Sequence, residues 1–134
     1  MNFTSVRVIT GDIKRLTGFY ERATGATATW YTDDFAEITS PLATLAIGSD
    51  RTVALFGEGV ARPADNHSVI IEFLLDDVDA AYQELAGWLG PGQVVQPPAT
   101  MPWGNRSLLF RDPDGNLVNF FTPVTPAAVE KFAR

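Results

Sequence analysis

The secondary structure predicted from this sequence follows the same order twice, and this internal repeat constrains the fold more than any other feature. The alternating residues 3–10 predict a strand, and Asp12 is a favourable N-cap for an amphipathic helix that Gly25 ends. About 65 residues later, a strand at 67–75 precedes a helix capped by one of the aspartates at 76–77. Because either half alone is too small to bury both faces of a sheet, we expect one α+β fold built from two modules.

Each predicted module ends with three short β-rich segments. In the first module they span residues 27–31, 36–47 (interrupted at Pro41) and 52–56, and in the second they span 93–96, 105–110 and 117–121. The order is therefore β-α-β-β-β in both modules. We expect the first module to end near residue 57 and a linker to occupy 58–66. The second module then spans about 67–124, and 125–134 forms a tail or a short helix.

The composition disfavours several kinds of function. The chain has 134 residues, no cysteine and a net charge of −6. The lack of thiols excludes disulfides, thiolate catalysis and Cys-bound zinc or iron–sulfur sites. The negative charge disfavours nucleic acid and anionic membranes as partners. No apolar run reaches the roughly 18 residues that span a bilayer, and the N-terminus lacks the pattern of a signal peptide, so a cytoplasmic protein is expected.

Residues 112–116, with the sequence DPDGN, predict a tight hairpin between two apolar strands. Proline presets one turn position there, and glycine accepts a left-handed one. Three further motifs accompany this hairpin: the Phe-Tyr pair at 19–20, the strand-to-helix junction at 73–80, and the Pro-Trp-Gly turn at 102–104. Together they resemble the vicinal oxygen chelate superfamily, which includes glyoxalase I, extradiol dioxygenases, fosfomycin-resistance enzymes and bleomycin-resistance proteins. The resemblance covers nearly the whole chain.

This resemblance implies two tandem βαβββ modules that form a curved mixed sheet around a cavity. In metal-dependent relatives, one side chain from the first strand and one from the last strand of each module bind a divalent metal there. Counting from the helix-start aspartates and the strand ends places these four positions at Ser5, Ala54, Ile70 and Asn119. None of them offers a carboxylate or an imidazole, which divalent metals require, so no metal cofactor is expected.

His67 is the one histidine of the sequence. It fits a displaced metal ligand or a general base that titrates near neutral pH. Its place after Asp65 and Asn66 favours an exposed position where a strand begins. The aspartates at 76–79 are better explained by helix capping than by acid and base catalysis, and those at 33–34 by a turn.

Alternation along the strands places several side chains on the face that holds the four metal positions. Arg7 and Glu72 are among them, each two residues beyond the first-strand position of its module. They fit either an ion pair that joins the halves or two polar anchors for a ligand. The amide of Asn119 and the rings of Phe56 and Phe121 complete the ligand contacts expected from this face.

Aromatic side chains in connecting and edge segments are also expected near the mouth of the cavity, where rings can hold a planar or cationic ligand. Trp103 lies in the Pro-Trp-Gly turn, which in relatives often lies beside the cavity, and Trp30 lies in an edge segment. Ordinary packing explains either residue equally well. Arg106 fits either a contact to an anionic ligand or a solvated charge at a strand edge.

In character the chain is most similar to the bleomycin-resistance branch, which implies a homodimer that binds small molecules and a role in antibiotic resistance. We therefore expect a small aromatic or cationic compound to be sequestered in the cavity without a metal. The alternative is a superfamily enzyme, namely a lyase, an isomerase or a ring-cleaving dioxygenase. Such an enzyme would need unusual metal ligands, or metal-free acid and base catalysis by Glu72 with Arg7.

Overall fold

Each half of the chain forms a four-stranded mixed sheet with a helix packed on one face. The structure is a computed structural model, and it describes residues 1–133. The chain divides into two units, the first spanning Met1–Asp65 and the second beginning at Asn66. No helix among the described residues is long and apolar enough to cross a membrane. The predicted α+β class and the repeated module are both confirmed.

The first unit contains four strands and two helices in the order β-α-β-β-β-α. They are β1 (Ser5–Thr10), α1 (Ile13–Thr24), β2 (Thr29–Thr32), β3 (Phe35–Thr39), β4 (Thr44–Ser49) and α2 (Asp50–Val53). The strand order in the sheet is β1-β4-β3-β2. β1 pairs with β4 in parallel, and the remaining pairs are antiparallel.

Local signals fix the bounds of α1. The Asp12 carboxylate accepts a hydrogen bond from the backbone N–H of Arg15 at 3.1 Å, which satisfies one of the free donors of the first turn. Gly25 ends the helix in the left-handed conformation at φ 75°. Leu16 and Tyr20 are fully buried, so the helix packs against the sheet through its apolar side.

The second unit repeats this arrangement and adds a C-terminal helix. Its elements are β5 (Ile70–Leu74), α3 (Val78–Ala86), β6 (Val94–Thr100), β7 (Asn105–Arg111), β8 (Leu117–Pro123) and α4 (Pro126–Phe132). The strand order is β5-β8-β7-β6, and β5 pairs with β8 in parallel. The Asp77 carboxylate caps α3 by accepting from the backbone N–H of Ala80 at 3.0 Å. The core contains perpendicular rings of Phe110 and Phe120, with centroids 4.8 Å apart.

The predicted strand at 52–56 is wrong. The last strand of the first unit is β4, and the residues after it form α2 and a turn, with Ala54 as the helical C-cap. Two short strands separated by a turn at Ser40 occupy the segment that was predicted as one interrupted strand. Alternation also fails locally, because Val53 is buried whereas Leu55 is 87% exposed. Because β1 pairs with β4, the last-strand position that the sequence analysis assigned to Ala54 belongs to a residue of β4.

Candidate functional site

Each sheet has an open face, which we define as the face opposite α1 in the first unit and opposite α3 in the second. Strand register identifies its members, because side chains of cross-strand partners point to the same side. In the first unit Arg7 pairs with Ala46, Ala46 with Glu37, and Glu37 with Thr29. This row crosses the whole sheet. In the second unit the equivalent row begins with the pair Glu72 and Asn119, so Ala46 is the structural counterpart of Asn119.

Arg7 is held by aromatic rings on the open face of the first unit. Its guanidinium carbon lies 5.0 Å from the ring centroid of Phe35 and 5.6 Å from that of Phe56. Cation–π contacts at such distances stabilise by about 0.5–1 kcal/mol at exposed sites. Within residues 1–65 Arg7 forms no ion pair. The guanidinium is therefore positioned by rings, with its hydrogen-bond donors free of carboxylates of its own unit.

Tyr31 and Glu37 form the other side of this face. The Tyr31 hydroxyl donates a hydrogen bond to the Glu37 carboxylate, and this bond, followed by the negative charge of Glu37, raises the pKa of Tyr31. The ring of Tyr31 also lies 5.9 Å from that of Phe35, at a tilted angle. Alternation along β2 places Tyr31 on the same face as Thr29, which pairs with Glu37 on the open face. Trp30 pairs with Ala36 and so belongs to the opposite face.

The floor between these side chains is made of small residues of β4. Ala46 is buried, and a Cβ added at Gly48 would lie 2.8 Å from the Thr52 hydroxyl oxygen of α2. That hydroxyl donates to the backbone carbonyl of Ser49 at 2.7 Å, which holds α2 against the end of β4. Small residues of β4 therefore separate Arg7 and its rings from Glu37 in this row.

The open face of the second unit is built around Asn119. Its amide nitrogen donates to Glu72 Oε2 at 2.8 Å, while its carbonyl oxygen is buried and has no hydrogen-bond partner among residues 1–133. Because an ionised carboxylate only accepts, this bond fixes which end of the Asn119 amide faces Glu72. Phe121 lies two residues further along β8 on the same face. The centroid of its ring lies 5.2 Å from that of Phe132 in α4.

With Ala46 in place of Ala54, the four positions that the resemblance assigns to metal ligands are Ser5, Ala46, Ile70 and Asn119. A hydroxyl, a methyl group, an alkyl chain and an amide do not supply the anionic or imidazole ligands that a divalent metal needs. No cluster of three or more His, Asp or Glu side chains suited to a metal occurs in the described part of the chain. His67 is exposed in the loop before β5. The residues present do not fit a metal ion of the superfamily type.

Arg106, one of the expected ligand contacts, lies on the other face of its sheet. Arg106 pairs with Thr122 and points to the face that carries α3, where its guanidinium makes a forked contact with Asp79 at 2.8 and 3.0 Å. The hydrogen bond from Arg106 holds the pKa of Asp79 below its usual range. Trp103 is 68% exposed in the turn between β6 and β7. The ion pair of Arg106 with Asp79 therefore links β7 to α3.

The structure also places on the open faces residues that were not predicted from the sequence as site residues. Glu37 belongs to the open face of the first unit, and Asn105 and Ser107 belong to that of the second, where both are buried. The signal for the last two was present in the sequence. The DPDGN hairpin fixes the register of β7 against β8, so alternate residues of β7 share the face of Asn119.

Comparisons with known proteins support the fold described above. A family model described as Glyoxalase/Bleomycin resistance protein/Dioxygenase superfamily matches residues 2–120. A solved glyoxalase/bleomycin resistance protein/dioxygenase from Nocardioides is 23% identical with a TM-score of 0.70, over 92% of this chain and 83% of its own. A family enzyme from Burkholderia phytofirmans PsJN is 14% identical with a TM-score of 0.79, over 92% and 100%.

A glyoxalase-related enzyme from Fulvimarina pelagi is 17% identical with a TM-score of 0.74, over 90% of this chain and 87% of its own. At such identities the likeness establishes the fold and leaves the chemistry to the residues of this chain. A comparison with curated proteins found no match.

Proposed function

Because the chain belongs to the glyoxalase/bleomycin resistance protein/dioxygenase superfamily, yet has no metal-binding side chain at the four positions described above, we propose that it binds a small aromatic compound without a metal. The observation that carries this proposal is the pair of rows on the open faces. One row places an arginine over aromatic rings, and the other places a carboxylate beside a buried amide. A few polar groups set among apolar walls are typical of small-molecule sites.

The side chains of the first unit favour a planar ligand. Arg7, Phe35, Phe56 and Tyr31 present a cation and three rings on one face. A flat aromatic molecule can stack on such rings while a polar substituent reaches the guanidinium.

The first experiment measures metal content. Protein purified without chelators and without a His tag is analysed for metals, and again after incubation with nickel, zinc, manganese and ferrous iron. We expect no stoichiometric metal, because no described cluster of ligands could hold one. About one metal per chain, lost in His67→Ala or Glu72→Ala, would overturn the proposal and favour the enzyme alternative.

The second experiment measures binding by calorimetry on chelator-treated protein, with benzoate, phenol and benzamidine as probes of different charge. At least one probe should bind saturably and without turnover. Arg7→Gln should weaken binding of benzoate by about threefold to tenfold through loss of the cation. Arg62→Gln is the matched control, because Arg62 is exposed and its carboxylate neighbour Asp65 lies 3.7 Å away. Equal affinity of both variants would contradict the role given to Arg7.

A further inference from the structure

The exposed face of α1 has a glycine at its centre. Gly18 is exposed in the middle of the helix, on the side away from the fully buried Leu16 and Tyr20. A glycine inside a helix lowers the stability of that helix relative to alanine. Apart from the backbone of α1 and the neighbouring residues, no heavy atom within residues 1–133 lies within 4 Å of a Cβ added at Gly18. Packing within the described chain therefore does not require a glycine at this position.

Basic side chains surround Gly18 on this face. Lys14 lies four residues before it, Arg15 three residues before it and Arg22 four residues after it, and all three are exposed. Residues at these spacings are neighbours on the surface of a helix. The one acidic residue of α1, Glu21, accepts a backbone hydrogen bond at 2.8 Å from the segment that follows the helix. The face is therefore locally positive, although the chain as a whole has a net charge of −6.

The exposed face of α3 has the same spacing with the opposite charge. Its central residue is Ala80, which is small and exposed, on the side away from the buried Val78 and Leu85. Asp76 lies four residues before Ala80 and Glu84 four residues after it, and both are exposed. No lysine, arginine or histidine occurs from residue 76 to residue 88. A small residue between two charges therefore occurs on both helices, with bases on α1 and acids on α3.

Lys14, Asp76 and Glu84 are available to pair with charges of another molecule. None of the three forms an ion pair among the residues that the structure describes. Asp79, by contrast, is paired with Arg106 at 2.8 Å. Complementary charges on two surfaces favour their encounter and set the orientation in which they bind. Because one chain carries both faces, a second copy supplies the complement of each.

We propose that the exposed face of α1 binds the exposed face of α3 of a second copy of this chain, with the two helices antiparallel. Gly18 of one copy then faces Ala80 of the other, and two small residues at the crossing let the helices approach closely. The helix dipoles are opposed in this orientation, which is favourable. The charged contacts are those of Lys14 with Glu84 and of Arg22 with Asp76.

This interaction surface is separate from the candidate ligand site. The open faces lie opposite α1 and α3, whereas the contact between copies uses the sides of these helices that are exposed to solvent. The inference therefore goes beyond the proposed function and does not depend on ligand binding.

The first test is sedimentation velocity over a range of protein concentrations at two salt concentrations, about 0.1 M and about 0.5 M. At the lower one the Debye length is about 10 Å, so repulsion between the net charges of two copies is largely screened while charges in contact still attract. The average mass should rise with protein concentration at about 0.1 M salt, and the rise should be smaller at about 0.5 M. A mass that does not depend on salt would overturn the proposal.

Charge reversal then locates the contact. Lys14→Glu should weaken the association at least about tenfold, because it places two carboxylates together. Arg62→Glu is the matched control, since it makes the same change of charge at an exposed side chain outside both helices. Equal association of the two variants would overturn the proposal. Lys14→Glu combined with Glu84→Lys should restore the association to within about threefold of the wild type, and no recovery would overturn the pairing of these two residues.

Gly18→Gln separates the contact from the stability of the helix. Glutamine is a better helix former than glycine and an added Cβ meets no atom within 4 Å, so the urea midpoint of unfolding should rise. The longer side chain should hold the two helices apart and weaken the association about tenfold. The two readouts therefore move in opposite directions, which a loss of folding could not produce. Unchanged association in this variant would overturn the close approach at Gly18.

Discussion

Gly104 lies in the turn before β7, next to the start of α4. Replacing it tests how closely α4 packs against this turn. Its φ is +96°, a conformation that side chains other than glycine rarely adopt. A Cβ at this position would overlap the hydroxyl oxygen of Thr125 and would lie 3.0 Å from the Cβ of Ala128. Thr125 is also the N-cap of α4, since its hydroxyl accepts from the backbone N–H of Ala128 at 3.3 Å. Gly104→Ala should therefore disturb both the backbone and the helix start.

The magnitude follows from these two effects. A left-handed conformation costs about 1–2 kcal/mol once a Cβ is present. Displacement of Thr125 should weaken a cap whose loss typically costs about 1 kcal/mol. The free energy of unfolding should therefore fall by about 2–4 kcal/mol, with the upper part of that range coming from contacts of Ala128 that are lost as α4 shifts.

Gly92→Ala is the matched control. Gly92 also has a positive φ, +78°, but no heavy atom lies within 4 Å of an added Cβ, so only the backbone cost applies. Urea unfolding followed by circular dichroism and tryptophan fluorescence gives both free energies. We expect Gly104→Ala to lose at least about 1 kcal/mol more than Gly92→Ala. Equal losses would refute the argument that Thr125 and Ala128 make Gly104 irreplaceable.

Two further predictions concern charges that fix helices. The folded-state pKa of Asp79 is lowered by Arg106, so this pair contributes stability above the unfolded carboxyl pKa of about 3.9, and the contribution is lost as pH falls through the lower folded value. Urea midpoints measured from pH 6 to pH 2.5 should show this acid-dependent loss in the wild type and less of it in Arg106→Gln; identical profiles would contradict it. Asp12→Ala and Asp77→Ala should each cost about 1 kcal/mol in urea unfolding, because each carboxylate caps a helix, whereas Asp50→Ala should cost less. Equal losses in all three would exclude capping as the cause.

Local signals in the sequence were sufficient for much of the fold. Asp12 and Gly25 bound α1 as predicted. The DPDGN hairpin also forms as predicted: the Asp112 carboxylate accepts from the backbone N–H groups of Asp114 and Asn116 at 2.9 Å, and Gly115 has a φ of 85°. In each case the conformational preference depends on only a few neighbouring residues, so it can be predicted without knowledge of distant contacts.

The wrong last strand of the first unit has a long-range cause. Residues 44–49 and 52–56 are both short apolar runs, so either could be the last strand of the first unit. The parallel pairing of β4 with β1 makes residues 44–49 the strand, and no local sequence pattern predicts this pairing. The error carries over to the candidate site, because strand pairing makes Ala46, and not Ala54, the counterpart of Asn119.

The place of β1 and β5 in their sheets has a consequence for how the chain folds. Each is the first strand of its unit and pairs with the last strand of that unit's sheet, Ser5 with Thr44 and Ile70 with Leu117. During synthesis each first strand therefore emerges long before its neighbour exists. The hairpins formed by later strands close short loops and can assemble early, whereas adding the first strand requires a much larger loop to close. In both units the strand that is synthesised first should therefore be among the last to pair with its neighbour in the sheet.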